Sequence, residues 1–361
     1  MANTLSDKQQ QLQQQMMKNA RKQHLQQMAV YHQKRQSTTT QPQLAPMGLT
    51  YDDLPIDFED VDLITDRDDM DLASLDSACR DGFLTSVEAM VSNRNPPRTR
   101  FFLHQGLVTA LTAGHTDITH YLLSVGAPIL RETPTTVLSA PKDKQIPLFQ
   151  LLLDRGWSVN TPGFYGAVLL PRVTENLTLL QWFLNSGADP NLGKQHDVRD
   201  RYGGSDHDSC AALESAAGQG NVEAVRMLLQ AGAEIQYGIP LHFAAGSLPP
   251  GSNPLNGRVT PSAEFDRSRI PVMATLVEHG ADVNQAEESR HMGPRYAIMK
   301  AVMAGAVERV RWLLEHGADP ELREPYGSAA LFAAKMSSEE MKQVIDEALR
   351  VGKGTISSAP T

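Results

Sequence analysis

The stretch Ala212-Leu213-Glu214-Ser215-Ala216-Ala217-Gly218-Gln219-Gly220-Asn221, continued by Val222-Glu223-Ala224-Val225-Arg226-Met227-Leu228-Leu229 and by Gly232-Ala233-Glu234-Ile235, decides the fold. It predicts two short helices back to back, closed by a turn. Leu213, Ala216 and Ala217 cluster on one side of the first helix, small enough for another backbone to approach. Gly220-Asn221 breaks that helix, because both residues tolerate positive φ and the Asn221 side chain is suited to cap the second helix. That second helix places Val222, Val225, Leu228 and Leu229 on one face and leaves Glu223, Arg226 and Gln230 to water. Gly232 stands where a helix C-terminus favours a left-handed residue. A pair this small cannot bury its apolar face alone, so it requires copies on either side.

The chain supplies them. Towards the N-terminus, Gly187-Ala188-Asp189-Pro190-Asn191 closes one unit, Gly156-Trp157-Ser158-Val159-Asn160 another and Gly126-Ala127 a third, and a degenerate unit begins near Leu75. Towards the C-terminus, Pro240-Leu241-His242-Phe243-Ala244-Ala245 opens a unit that ends at Gly280-Ala281-Asp282-Val283-Asn284. Residues 297–321 form the next, and 330–352 a charged, degenerate last one. Gly126 to Gly156 is 30 positions, Gly156 to Gly187 is 31 and Gly280 to Gly317 is 37. Those spacings bracket a repeat of about 33 residues. Gly187 to Gly232 is 45 and Gly232 to Gly280 is 48, each one repeat plus an insertion. Pro147 and Pro271 fall at the predicted starts of second helices, where a missing N–H costs little. Ser337 and Glu340 have capping-box spacing ahead of the last helix.

These residues resemble the ankyrin family, whose repeat carries a Thr-Pro-Leu-His-x-Ala-Ala first helix, a Gly-His turn, a Leu-Leu second helix and a Gly-Ala-Asp-x-Asn hairpin. Ile239-Pro240-Leu241-His242-Phe243-Ala244-Ala245 nearly reproduces the first helix, and Gly114-His115 the turn. The resemblance implies an all-α ankyrin-repeat solenoid of helix-turn-helix units with short hairpin loops. It covers residues 72–350 as about seven to eight repeats, with insertions near 194–209 and 246–269, and leaves a C-terminal tail at 351–361. It also implies that a protein partner binds on the concave surface of the first helices and on the hairpin tips. On this register the concave candidates are Thr112, Arg172, Glu214, Gln219, His242, Phe243, Lys300 and Met303, with His242 read first as a structural histidine between neighbouring repeats.

Before the array, residues 1–50 form a basic, Gln-rich tail whose composition predicts disorder, and residues 51–71 an acidic linker interleaved with apolar residues. The net charge of −9 argues against direct nucleic-acid binding. No apolar run approaches the roughly 20 residues of a membrane span, and the N-terminus lacks an apolar signal core. Two distant cysteines, Cys79 and Cys210, suggest a reducing, intracellular setting, cytoplasmic or nuclear. No phosphate loop, Gly-x-Ser-x-Gly elbow or kinase motif is present, so no catalytic residue, cofactor or metal is expected. Insert 194–209 holds His196, Asp197, Asp200, Asp206, His207 and Asp208, with Cys210 next, without compact metal spacing, and Gly203-Gly204 makes it read as a flexible polar loop. Insert 246–269 reads as a mobile loop or a partner contact.

The expected function is a non-enzymatic interaction scaffold or adaptor. Two rival readings are a nuclear, transcription-linked regulator using the Gln-rich and acidic segments, and a metal-binding regulatory subunit of an enzyme using the first insert. The register is checked at its centre. Leu228→Ala should cost about 2–5 kcal/mol as a buried truncation and loosen the adjoining repeats as well. A melting temperature unmoved by that substitution would mean that Leu228 does not face the core.

Overall fold

The computed structural model describes residues 71–92, 97–198, 200–252, 259–287, 294–323 and 327–356, with side chains to 350. The Gln-rich tail, the acidic stretch before residue 71, the middle of the second insert (253–258) and residues 357–361 lie outside them. The helices are α1 (Asp71–Asp81), α2 (Leu84–Val91), α3 (Arg100–Ala113), α4 (Thr116–Ser124), α5 (Thr133–Thr136), α6 (Lys142–Leu153), α7 (Leu177–Asn185) and α8 (Ala211–Gln219). They continue with α9 (Val222–Gln230), α10 (Pro240–Gly246), α11 (Ala263–Ser268), α12 (Ile270–Glu278), α13 (Ala297–Met303), α14 (Val307–Glu315), α15 (Ala329–Met336) and α16 (Glu339–Ile356). No strand is present among the described residues, only an isolated bridge between Gly193 and Asp206.

The helices sort into two stacks. The inner stack runs α1, α3, α5, the 3-10 turn Leu170–Arg172, α8, α10, α13 and α15; the outer stack runs α2, α4, α6, α7, α9, α12, α14 and α16. Each repeat is one inner and one outer element, and one apolar core runs through all of them from Leu75 to Ile345. The turns between stacks follow from local chemistry. Gly114 (φ 87°) and Gly220 (φ 74°) end α3 and α8 in the left-handed region that only glycine enters without strain. Asn176 and Asn221 then cap α7 and α9 by accepting backbone N–H groups. Where the inner elements shorten, to the helical residues 133–139 in repeat three and to one turn in repeat four, rings fill the layer. Phe149 lies 5.5 Å from Trp157 and 5.0 Å from Phe183, centroid to centroid.

Two boundaries differ from the sequence expectation. Pro147 lies inside α6, five residues past its start, because that helix gains an extra N-terminal turn after Pro141. The last helix is capped by Ser338, whose Oγ accepts the Met341 N–H (3.3 Å), while Ser337 ends α15.

Both inserts are docked. In the first, the Gln195 N–H donates to the Tyr165 carbonyl (2.9 Å), the Tyr165 N–H to the Arg201 carbonyl (2.8 Å) and Ser205 Oγ to the Gly166 carbonyl (2.6 Å). Gly166 packs so tightly on Gly204 that a Cβ there would lie 2.3 Å from its carbonyl oxygen. The two glycines therefore serve close backbone packing, not flexibility. In the second insert, α11 buries Asp266 (3% exposed) against Arg309 of α14 (0% exposed).

Arg309 Nε donates to Asp266 Oδ1 (2.6 Å), and Nη1 donates to the Ala245 (2.7 Å) and Ser247 (2.9 Å) carbonyls at the C-terminus of α10. Asp266 Oδ2 accepts the Glu308 N–H at the start of α14 (2.7 Å). From the end of the same insert, Arg269 donates to the Gln219 carbonyl of repeat five and lies 4.3 Å over the Phe265 ring. One insert thus keys repeats five, six and seven together.

Arg309→Met alone should destabilise by about 3–5 kcal/mol, because it leaves the Asp266 carboxylate buried and unpaired. Adding Asp266→Leu should recover most of that loss, short of the cap that Asp266 supplies to α14. Urea unfolding of the two variants decides the matter; equal losses would show that the ion pair is not what the insert depends on.

Candidate functional site

The inner faces of α8, α10 and α13 bring four of the sequence candidates together. Lys300 Nζ pairs with the Glu287 carboxylate (2.9 Å) and stands 5.7 Å from the centroid of the Phe243 ring. Glu214, half-buried, accepts the Ile239 N–H (2.9 Å), and its charge couples to those of Lys300 and Glu287. Burial raises its pKa; the backbone hydrogen bond and Lys300 act against that rise. His242 is fully buried, and its Nε2–H donates to the Arg295 carbonyl of the following repeat (3.0 Å). Burial holds its pKa below the ordinary value, so it ties two repeats as a neutral imidazole.

Phe243 and Met303 remain 44% and 48% exposed. The other candidates stand apart. Gln219 is consumed by packing, its Oε1 accepting from Thr174 Oγ1 (3.1 Å) and its Nε2 donating to Ser215 Oγ (3.2 Å). Thr112 is exposed on α3 and donates to the Val108 carbonyl of its own helix (2.8 Å). Arg172 is exposed on the short inner turn of repeat four.

Sequence reasoning missed Glu287, the acid that holds Lys300, because it lies past the hairpin and outside any repeat motif. It also left unresolved how the first insert folds. There His196 Nε2 lies 3.2 Å from an Asp208 oxygen and 3.7 Å from an Asp206 oxygen, and the three ligand atoms converge within 4.8 Å. The cluster is largely exposed, and Asp206 already accepts the His196 N–H (2.7 Å), so these contacts close the loop on themselves. Both cysteines are free and buried, and burial pushes the Cys79 thiol up to about 12. No helix among the described residues is long and apolar enough to cross a membrane.

Residues 295–324, the seventh helix pair with its hairpin, match the family model described as ankyrin repeat. With the same helix pair and glycine-closed turn recurring along the array, the chain is an ankyrin-repeat protein. No curated protein matches it in sequence. Among solved structures, the human ASB11 ankyrin repeat domain is similar at 18% identity and a TM-score of 0.39, over 76% of this chain and 96% of that one. Ankyrin repeats are generally protein–protein interaction modules.

The electrostatics of this face give a pH test. An acid with a raised folded pKa favours the folded state most below its unfolded value and loses that contribution as pH rises through the folded value. Replacing Glu214 by Gln keeps an oxygen for the Ile239 N–H and removes the titration. Glu214→Gln should therefore flatten the fall in melting temperature as pH rises from about 4.5, with no loss at neutral pH. A variant less stable than wild type at pH 7 would show that the carboxylate charge itself is required.

Proposed function

We propose that the array is a non-enzymatic scaffold or adaptor that grips a protein partner on the concave face of α8, α10 and α13. The observation that carries this reading is the exposed Phe243 ring beside the fixed Lys300–Glu287 ion pair, with the exposed Met303 three positions on from Lys300 along α13. Anchors of this kind dominate binding when a partner excludes water from them, while the surrounding polar groups set register. The docked insert supports the reading, because Arg309 fixes the C-terminus of α10 and so the position of Phe243. Glu214 and Lys300 supply opposite charges within the same face, suited to orienting a partner segment. The buried free cysteines support an intracellular setting.

Affinity capture from the native cell, comparing wild type with Phe243→Ala/Met303→Ala, tests the proposal. The expected outcome is a partner whose capture falls at least about tenfold with the double variant, as for loss of two anchors, while the melting temperature stays near wild type. Equal capture by both proteins would move the binding surface to the hairpin tips or the inserts.

A further inference from the structure

The two inserts are fixed by different means. The second is keyed by a buried acid–base pair, Asp266 with Arg309. The first sets two acids, Asp206 and Asp208, side by side. Among the described residues neither carboxylate meets a lysine or an arginine; both take only groups of His196.

This insert is nevertheless closely held. The Asp206 N–H donates to the Gly193 carbonyl (3.0 Å) and its carbonyl accepts the Gly193 N–H (3.1 Å), while the Ser209 N–H donates to the Asn191 carbonyl (3.0 Å). The Gln195 carboxamide ties the loop from within, donating to the Gly204 carbonyl (3.0 Å) and accepting the Asp200 N–H (3.1 Å). Backbone and amide groups thus hold the loop shut alongside the side-chain contacts, and fix where those side chains stand. Ligands on a pre-set framework lose little freedom on binding an ion.

The three side chains converge on one point. His196 Nε2 lies 3.2 Å from Asp208 Oδ1 and 3.7 Å from Asp206 Oδ2, and no two of the three ligand atoms are more than 4.8 Å apart. A tetrahedral ion with metal–ligand distances near 2.1 Å sets its ligand atoms about 3.4 Å apart. Both imidazole edges already stand within a few tenths of an ångström of that value. All three side chains reach solvent, so an ion can enter.

We propose that His196, Asp206 and Asp208 bind one divalent transition-metal ion of the zinc class. The ion supplies to the first insert the cation that Arg309 supplies to the second. On binding, Nε2 gives its proton to solvent and turns its lone pair to the metal, and the two neighbouring carboxylates share the positive charge. The donor set selects the ion: an imidazole nitrogen suits zinc, nickel or copper, whereas magnesium and calcium prefer oxygen ligands alone. Three protein ligands leave a fourth position to water. Sequence spacing hides the site, because His196 and Asp206 are ten positions apart and meet only through the Gly193–Asp206 bridge. The charge of His196 also acts on Glu214 of α8, so the ion stiffens a loop that borders the proposed partner face. The site does not depend on which face a partner takes.

Zinc titration of the EDTA-treated, dialysed full chain tests the proposal, with His196→Ala and Asp208→Asn beside wild type. Calorimetry reads the affinity, and hydrogen exchange over residues 194–209 reads the place. Both substituted side chains are exposed, and metal-free melting temperatures check that the variants keep the fold. Wild type should take up zinc with a raised melting temperature and slower exchange across the insert. Each variant should bind at least about tenfold more weakly, the lower end of what losing even an outer-shell partner costs, and magnesium should leave exchange unchanged. A wild type that takes up no zinc would overturn the proposal. Undiminished binding by both variants, protection outside the insert alone, or an equal response to magnesium would overturn it too, since each marks an adventitious ion only.

Discussion

Every helix pair in this chain has more apolar surface than it can cover by itself, and the whole architecture follows from that shortage. Leu228 of α9, Leu276 of α12 and Leu313 of α14 reach zero exposure only because neighbouring layers close over them. The core is therefore one continuous body from Leu75 to Ile345 rather than a set of local ones. Such a stack keeps its order only if each unit re-enters at nearly the same angle. Left-handed glycines and the caps next to them impose that angle with short-range chemistry, and asparagines such as Asn160, which bonds to Gly187 and Asp189, then hold neighbouring hairpins in register.

An insertion would ordinarily weaken such a stack. Here the second one is tied into it, because Arg309 and Asp266 put a matched charge pair where other repeats place the buried side chains of Ile118, Leu179 and Ala224. The guanidinium also collects the carbonyls left over at the end of α10, so one buried cation satisfies an acid and a helix terminus at once. Burial lowers the pKa of Arg309, and the Asp266 hydrogen bond and charge oppose that fall. The arrangement bears directly on the candidate surface: α10 carries Phe243, and α13, the inner helix of the repeat that contributes Arg309, carries Lys300 and Met303.

Much of this was legible because the repeats act as one another's alignment. The glycine period, the Asn221 cap, the left-handed Gly232 and the structural use of His242 all follow from local residue chemistry, and the structure has each of them. The same comparison could have exposed Arg309. Its place three residues after the N-cap holds Ile118, Leu179 and Ala224 in other repeats, all buried, and an arginine there announces a buried acid. The position of Pro147 and the choice of Ser338 over Ser337 were less legible, since a helix end is settled by which of several adequate caps the neighbouring packing allows.

The sequence by itself determined the repeating unit, its turns and the face that each helix buries, because those depend on residues three to five positions apart. Tertiary structure alone decided that both inserts are docked, that Glu287 holds Lys300 beside Phe243, and that Asp266 finds Arg309 across 43 positions. Contacts of that range carry no period. They are set by where the stacked layers place two distant backbones, and by the cost of leaving either charge buried without the other.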